Sequence, residues 1–306
     1  MPSRRRFPFS LALVLGVGLN GASAEAQTAA AKPAAPQQKE APKAAVPAPA
    51  PAPAPAPRPV VKEPKAVEIL KACSAKLAAA RTLSFTALGA YEVPSRWGPP
   101  LIYGRIYEVT LQRPDKLRVI TVADGPVTEF YDDGKTLTSF HPAENLAAVT
   151  EAAPTVDASL EKIYKAAGTY FPFTDAIVSD PWKDIEPGLT GAFWVGESRL
   201  VGGKLTDVVA YEVNGVFVQM WIGRDDRLPY MSRALYLDDP QALRHSVQFS
   251  SWNLNPAVAA DAFTSGKAKG AASIPFSNPA AKSDLPAAVK PLGAAERPSS
   301  QPAPKQ

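Results

Sequence analysis

The stretch Leu101 to Arg113, LIYGRIYEVTLQR, puts Tyr107, Val109, Leu111 and Arg113 on one side of an extended chain and Glu108, Thr110 and Gln112 on the other. Alternation with period two is the mark of an antiparallel strand with one face buried and one in water. The stretch before it, Leu83 to Val93, repeats the pattern with Leu83, Phe85, Ala87, Tyr91 and Val93 together. Working outward, shorter strands are expected at 117–122, 127–132, 136–140 and 146–150. Asp132-Asp133-Gly134-Lys135 reads as a tight hairpin turn in which Gly134 takes positive φ. Five more strands are expected at 191–200, 205–213, 216–223, 228–237 and 243–252, two of them joined by the turn Asn214-Gly215.

The period changes to 3.6 in two places. Ahead of the first strand, Ala66, Ile69, Leu70, Cys73, Leu77 and Ala80 form one helical stripe, and Pro64 suits its first turn. Between the two runs of strands, Leu160, Ile163, Tyr164 and Ala167 share a helical face that stops at Gly168, and 172–179 and 181–185 can each form a short helix. The order is one helix, about six strands, a helical insert and about five strands. This is a mainly β, α+β chain, and residues 64–264 are enough for one domain with a substantial core.

The flanks have another composition. Residues 1–24 have the layout of a secretory signal: Arg4 to Arg6, an apolar run from Phe7 to Leu19, then Ala22, Ser23 and Ala24. That run is too short to span a bilayer, so export and cleavage after Ala24 or Ala26 are expected, and no second run makes the chain membrane-spanning. Residues 25–63 are rich in Ala and Pro, with strict Ala-Pro alternation from Val46 to Pro57, and read as a polyproline II or disordered arm. Residues 265–306 read as a mostly disordered tail with a last strand near Ile274 to Phe276. Cys73 stands fifty residues too late to carry a lipid anchor, can form no internal disulfide, and lies on the apolar side of its helix, where burial is expected.

The formal charge of +4 includes the three signal arginines, and residues 64–264 hold 19 Lys and Arg against 24 Asp and Glu. Such a surface does not suit nucleic acid. Catalytic groups are sparse. His245 shares a face with Val247 and Phe249, His141 stands before Pro142, and Asp225-Asp226 and Asp238-Asp239 fall between strands, where turn roles are expected. Gly196-Glu197-Ser198-Arg199 lacks the second glycine and the helix of a nucleophile elbow. No His/Cys cluster has zinc spacing and no glycine-rich loop joins strand to helix, so neither a metal nor a cofactor is expected. A hydrolase is the least supported reading.

Four short motifs, in order, resemble the outer-membrane lipoprotein carrier (LolA-type) family. They are Leu83-Ser84-Phe85-Thr86, Arg113-Pro114-Asp115-Lys116-Leu117-Arg118, Asp133-Gly134-Lys135-Thr136-Leu137 and Asp261-Ala262-Phe263-Thr264. With Trp252-Asn253-Leu254-Asn255-Pro256, the chain is still more similar to an uncharacterised family of bacterial envelope proteins that shares this fold. The resemblance implies an incomplete barrel of about eleven antiparallel strands with a helical lid on its concave face, working in the periplasm. It implies an acyl chain of a lipid or lipoprotein as ligand, and it implies that Arg113 holds the lid shut through hydrogen bonds. By strand parity Arg113 falls on the apolar side, where it either finds carbonyl or carboxylate partners or snorkels at the strand end.

A related envelope-stress regulator uses a similar half-barrel to sense lipoproteins, so the fold leaves the function open. The first expectation is a monomeric, non-catalytic binding protein whose ligand is lined by Phe85, Tyr107, Val109, Leu111, Val247 and Phe249, with Arg113 at the edge. The alternative is an envelope scaffold or sensing module with a self-filled barrel, whose arm reaches peptidoglycan or a partner protein.

Overall fold

The computed structural model describes residues 61–123 and 125–277; the expected export signal, most of the Ala/Pro arm and the end of the tail lie outside them. Helix α1 (Pro64–Ala78) comes first, with Pro64 at its first position, where the missing N–H costs no hydrogen bond. Six strands follow: β1 (Thr82–Val93), β2 (Leu101–Gln112), β3 (Lys116–Ala123), β4 (Thr128–Asp133), β5 (Thr136–His141) and β6 (Leu146–Glu151). The insert comprises α2 (Val156–Ala167), α3 (Thr174–Ile177) and α4 (Pro181–Ile185). Strands resume as β7 (Leu189–Ser198), β8 (Thr206–Val213), β9 (Val216–Gly223), β10 (Pro229–Tyr236) and β11 (Arg244–Leu254), and a short β12 (Ala272–Ile274) ends the series.

These strands form one sheet in the order β12-β6-β5-β4-β3-β2-β1-β11-β10-β9-β8-β7. Every pairing from β6 to β7 is antiparallel, and the sheet does not close. The fold is the open half-barrel with helices that the sequence pattern and the resemblance imply. An open sheet leaves two edges with unpaired backbone groups. Both receive chain from beyond the sequence-expected domain. Glu63 donates its N–H to the Ala192 carbonyl at 2.8 Å and the Ala192 N–H reaches the Val61 carbonyl at 3.0 Å, so the end of the arm lies along β7. At the other edge β12 runs parallel to β6, with Ala272 opposite Leu146 and Ile274 opposite Ala148.

Some boundaries differ from the sequence reading. The strand expected at 191–200 runs from Leu189 to Ser198 and gives way before the turn in which Gly202 and Gly203 take positive φ. The last strand is 272–274, because Pro275 has no N–H to continue the ladder. The helix expected over 172–179 is four residues long and stops at Val178, whose ψ of 157° is extended. Helix α2 is capped as its composition dictates: the Thr155 hydroxyl accepts from the Ala158 N–H at 3.2 Å, and Gly168 closes it with φ 65°.

The insert covers the buried face of β1 and β2, α1 packs on β7 and β8, and Ala66, Ile69, Leu70, Cys73 and Leu77 of α1 join the same core as Ile163, Phe173, Ile177 and Ile185. Cys73 is buried, and desolvation pushes its thiol up to about 12, which keeps it unreactive.

Candidate functional site

The side of the sheet that meets the helices is the candidate site, and strand register assembles it. Phe85 pairs with Val109, Leu83 with Leu111 and Ala87 with Tyr107 across β1 and β2, while Ala87 meets Phe249 and Gly89 meets Val247 across β1 and β11. Six sequence-expected lining residues, Phe85, Tyr107, Val109, Leu111, Val247 and Phe249, therefore stand on three adjacent strands, and all are buried in one core.

What covers them is the chain's own insert. The Phe173 ring stands edge-on to Phe85 at 5.6 Å and near Tyr107 at 5.3 Å, and stacks on Phe171 at 5.5 Å. Phe85 also meets Phe249 at 5.6 Å and Trp252 at 4.4 Å. Such aromatic pairs add to the burial of their area. The cover presses close: a Cβ on Gly89 would lie 2.9 Å from Pro172 Cγ, so the backbone of β1 needs glycine there.

The cover is fastened at three successive residues. Arg113, just past β2, donates from Nη1 to the Ile177 carbonyl at 3.0 Å, from Nη2 to the Val178 carbonyl at 2.9 Å and from Nε to the Ala80 carbonyl at 3.2 Å. The next residue, Ser179, donates its N–H to Asp157 of α2, at 3.0 Å from Oδ1 and 3.1 Å from Oδ2. A planar guanidinium with a fixed fork of donors suits two consecutive carbonyls as a lysine cannot. Burial pulls the guanidinium down from its ordinary value, with Asp157 opposing the shift. Asp157 is not a residue that sequence singles out, because an acidic residue in the first turn of a helix is common there for its own sake.

Asp175 lies in α3 itself. Desolvation, with repulsion from Asp184 added, pushes its carboxyl up to about 7. The folded protein thus keeps this proton after the unfolded chain has lost it, so stability falls as pH rises from about 4 to about 7 and then levels off. Asp175→Asn is expected to leave the melting temperature near wild type at about pH 4 and to raise it by a few degrees at about pH 8. Calorimetry at both pH values checks this; an equal gain at the two would show that the carboxyl is not the cause.

A cleft of about 200 Å³ lies beside the packed face, lined by Phe130, Ala148, Ile163, Phe171, Ile274 and Phe276, with His141, Ser139 and Thr128 on its polar side. It is smaller than the roughly 300 Å³ at which pockets hold ligands of ordinary size. The expected lining residues of β1, β2 and β11 are not among its walls. Its residues come from β4 to β6, α2, the segment after α2 and the tail, and were missed because burial on a short strand carries no sign of an open cleft beside it.

The remaining candidates have structural surroundings. His245 stacks on Tyr91 at 6.4 Å and meets Tyr236 edge-on at 5.6 Å, and desolvation lowers its pKa. Asp226 accepts from Lys204 at 2.7 Å and from the Tyr230 hydroxyl at 2.6 Å, and Asp239 accepts from the N–H groups of Gln241 and Leu243. Among the described residues, no group of three His, Cys, Asp or Glu could hold a metal ion, and no helix is long and apolar enough to cross a membrane.

Solved structures to which the chain is similar include the MucA/MucB complex of Pseudomonas aeruginosa, at 20% identity over 67% of this chain and 62% of that one, TM-score 0.39. LprF from Mycobacterium bovis is 15% identical over 65% and 97%, TM-score 0.42, and the LolA superfamily protein NE2245 from Nitrosomonas europaea 11% identical over 65% and 97%, TM-score 0.30. The chain spans less than two thirds of the length of the MucB structures it matches. Comparison with curated proteins finds no match. A family model does match, over residues 66–277, from the stripe of α1 through the last strand; on that match the chain belongs to the family described as "Predicted periplasmic protein (DUF2092)" and is a periplasmic protein.

Proposed function

We propose that the half-barrel is a non-catalytic periplasmic binding protein for an apolar ligand, an acyl chain of a lipid or lipoprotein, taken up between the sheet and the α3–α4 cover. The observation that supports this is how the cover is held. Arg113 and Asp157 hold it by hydrogen bonds at residues 177–179, while Phe171, Phe173, Ile177 and Ile185 pack into the apolar core beneath. Apolar contact is non-directional, so one apolar filling can replace another once the fastened strip lets go. Burying an acyl chain gains roughly 0.8 kcal/mol per CH₂, or on the order of 10 kcal/mol for a dozen, before ordering and the loss of the Phe171 and Phe173 packing are set against it.

The same proposal takes residues 1–24 as a cleaved export signal and residues 25–60 as a linker. Native mass spectrometry of gently purified protein, paired with titration of a fluorescent fatty acid, is expected to show a co-purifying lipid mass or saturable binding. Neither signal appearing would leave the proposal without support.

A second reading has its own observation: the rings of Phe171 and Phe173 already fill the face on which a ligand would lie. The domain is then an envelope interaction module. Deleting residues 27–60, which leaves Val61–Glu63 on β7, separates the two. A scaffold loses its cellular function, whereas a binding protein keeps its affinity for the fatty acid.

A further inference from the structure

The β1–β2 hairpin runs beyond the cover, and its end carries exposed large apolar side chains on both faces and at the tip. Pro172 meets the sheet at Gly89; past that point Tyr91 pairs with Tyr103, Glu92 with Ile102 and Val93 with Leu101. Leu101 and Tyr103 share the parity of the buried face and Ile102 has the opposite one, yet they are 51%, 51% and 72% exposed. Trp97, at the tip, is 86% exposed. The turn that carries it is preformed: the Ser95 hydroxyl accepts from the Trp97 N–H at 3.2 Å and donates to the Pro99 carbonyl, Gly98 takes φ 101°, and Pro94, Pro99 and Pro100 stiffen the rest. Folded proteins seldom hold so many large apolar groups out in water without a use for them.

From Val93 to Gly104 the only charged residue is Arg96, and Arg105 follows. The nearest acid on the hairpin, Glu92, accepts from the Arg244 N–H at 3.0 Å and pairs with its guanidinium at 3.7 Å. Exposed Val127, before β4, and Leu237, after β10, stand at the same ends of the strands, with Asp238 and Asp239 directly after Leu237.

We infer that this hairpin is a membrane-contact element, which places Trp97, Leu101 and Ile102 in the interfacial zone of a bilayer and Arg96 against anionic headgroups. A protein groove would cover one face of a two-stranded ribbon and leave the other in water. A fluid apolar layer surrounds both faces and the tip together. Trp and Tyr are the residues that settle at the level of the headgroups, and an arginine beside them gains from anionic lipid. The assignment does not depend on whether the half-barrel takes a ligand.

The test is flotation of the protein, purified from the periplasmic fraction, with vesicles of phosphatidylethanolamine containing one quarter phosphatidylglycerol. Wild type is expected to float with them and to float less with phosphatidylcholine vesicles. Trp97→Ser with Ile102→Ser is expected to weaken the association roughly tenfold or more, with an unchanged melting temperature because both side chains stand in water. Leu200→Ser, at an equally exposed residue (70%) at the opposite ends of the strands, is the control and is expected to float as wild type does. The inference is overturned if wild type stays unbound with the anionic vesicles, or if the double variant floats as well as wild type.

Discussion

Arg113→Leu is expected to free the segment Thr174 to Ser179 from the sheet while β1 and β2 stay folded. The leucine removes three donors at once and leaves the carbonyls of Ala80, Ile177 and Val178 without them. Each bond to a charged group is worth about 1.5–3 kcal/mol, and a buried acceptor left unpaired costs about 1–3 kcal/mol. With the three bonds only partly buried, a loss of roughly 3–5 kcal/mol is expected if the cover stays docked. A four-residue helix has few internal backbone hydrogen bonds with which to resist, so the cheaper response is to open locally. Hydrogen exchange is the direct measurement: amides of 174–179 are expected to exchange orders of magnitude faster, with protection in β1 and β2 retained. Arg113→Lys restores a charge without the fork and is expected to lie much nearer Leu than wild type. Asp157→Ala serves if the leucine variant misfolds, since it leaves the Arg113 bonds in place, removes the acceptor of the Ser179 N–H and hydroxyl, and is expected to speed exchange in the same segment by a smaller factor. Unchanged exchange across 174–179 in all three variants would show that the strip is held by packing instead.

Phe173→Ala is expected to be the most destabilising single change in the insert. Its ring is 1% exposed and stands between Phe85, Tyr107 and Phe171, so truncation removes a large apolar area and opens a cavity on the face of the sheet. Buried Phe→Ala changes cost about 3–5 kcal/mol, which for a domain of this size lowers the melting temperature by about 10 °C. The variant also distinguishes the two functional readings. If an acyl chain and the Phe173 ring compete for one space, a medium-chain fatty acid at a hundred times its dissociation constant is expected to return about 2.7 kcal/mol to the variant. Wild type, whose space is filled, is expected to gain less. A variant that melts at the same lowered temperature with and without the fatty acid points to a barrel that packs only its own side chains.

Most of the candidate site was readable residue by residue, though its state was not. Parity along β1, β2 and β11 identified which side of each strand is buried, since side chains alternate and one face must leave water. Parity does not say what comes to lie on that face. The same pattern in Phe85, Tyr107 and Phe249 is produced by a ligand, by a lid or by a second sheet. Here the occupant is Phe171-Pro172-Phe173, a segment more than sixty residues along the chain from Tyr107, and no local rule connects the two. Arg113 is a partial case. Its place on the apolar side of β2 demanded partners or an escape to solvent, and the resemblance named a lid, but the carbonyls of Ile177 and Val178 are specified only by where the four-residue α3 stops.

By itself the sequence determined the strand and helix order, the antiparallel pairing implied by one-sided strands, the tight turns at Gly134 and Asn214-Gly215, and the burial of Cys73. These follow from periodicity, from positive φ and from the cost of exposing apolar side chains, all of them local. Tertiary structure alone decided how the two sheet edges are met, by Val61–Glu63 on β7 and by β12 on β6, because pairing between distant segments depends on where the curved sheet brings its edges. It alone decided that the insert fills the concave face and is fastened at 177–179. It also decided that the apolar end of the β1–β2 hairpin, whose alternation is that of any half-buried strand, reaches past the cover and is left uncovered by the rest of the domain.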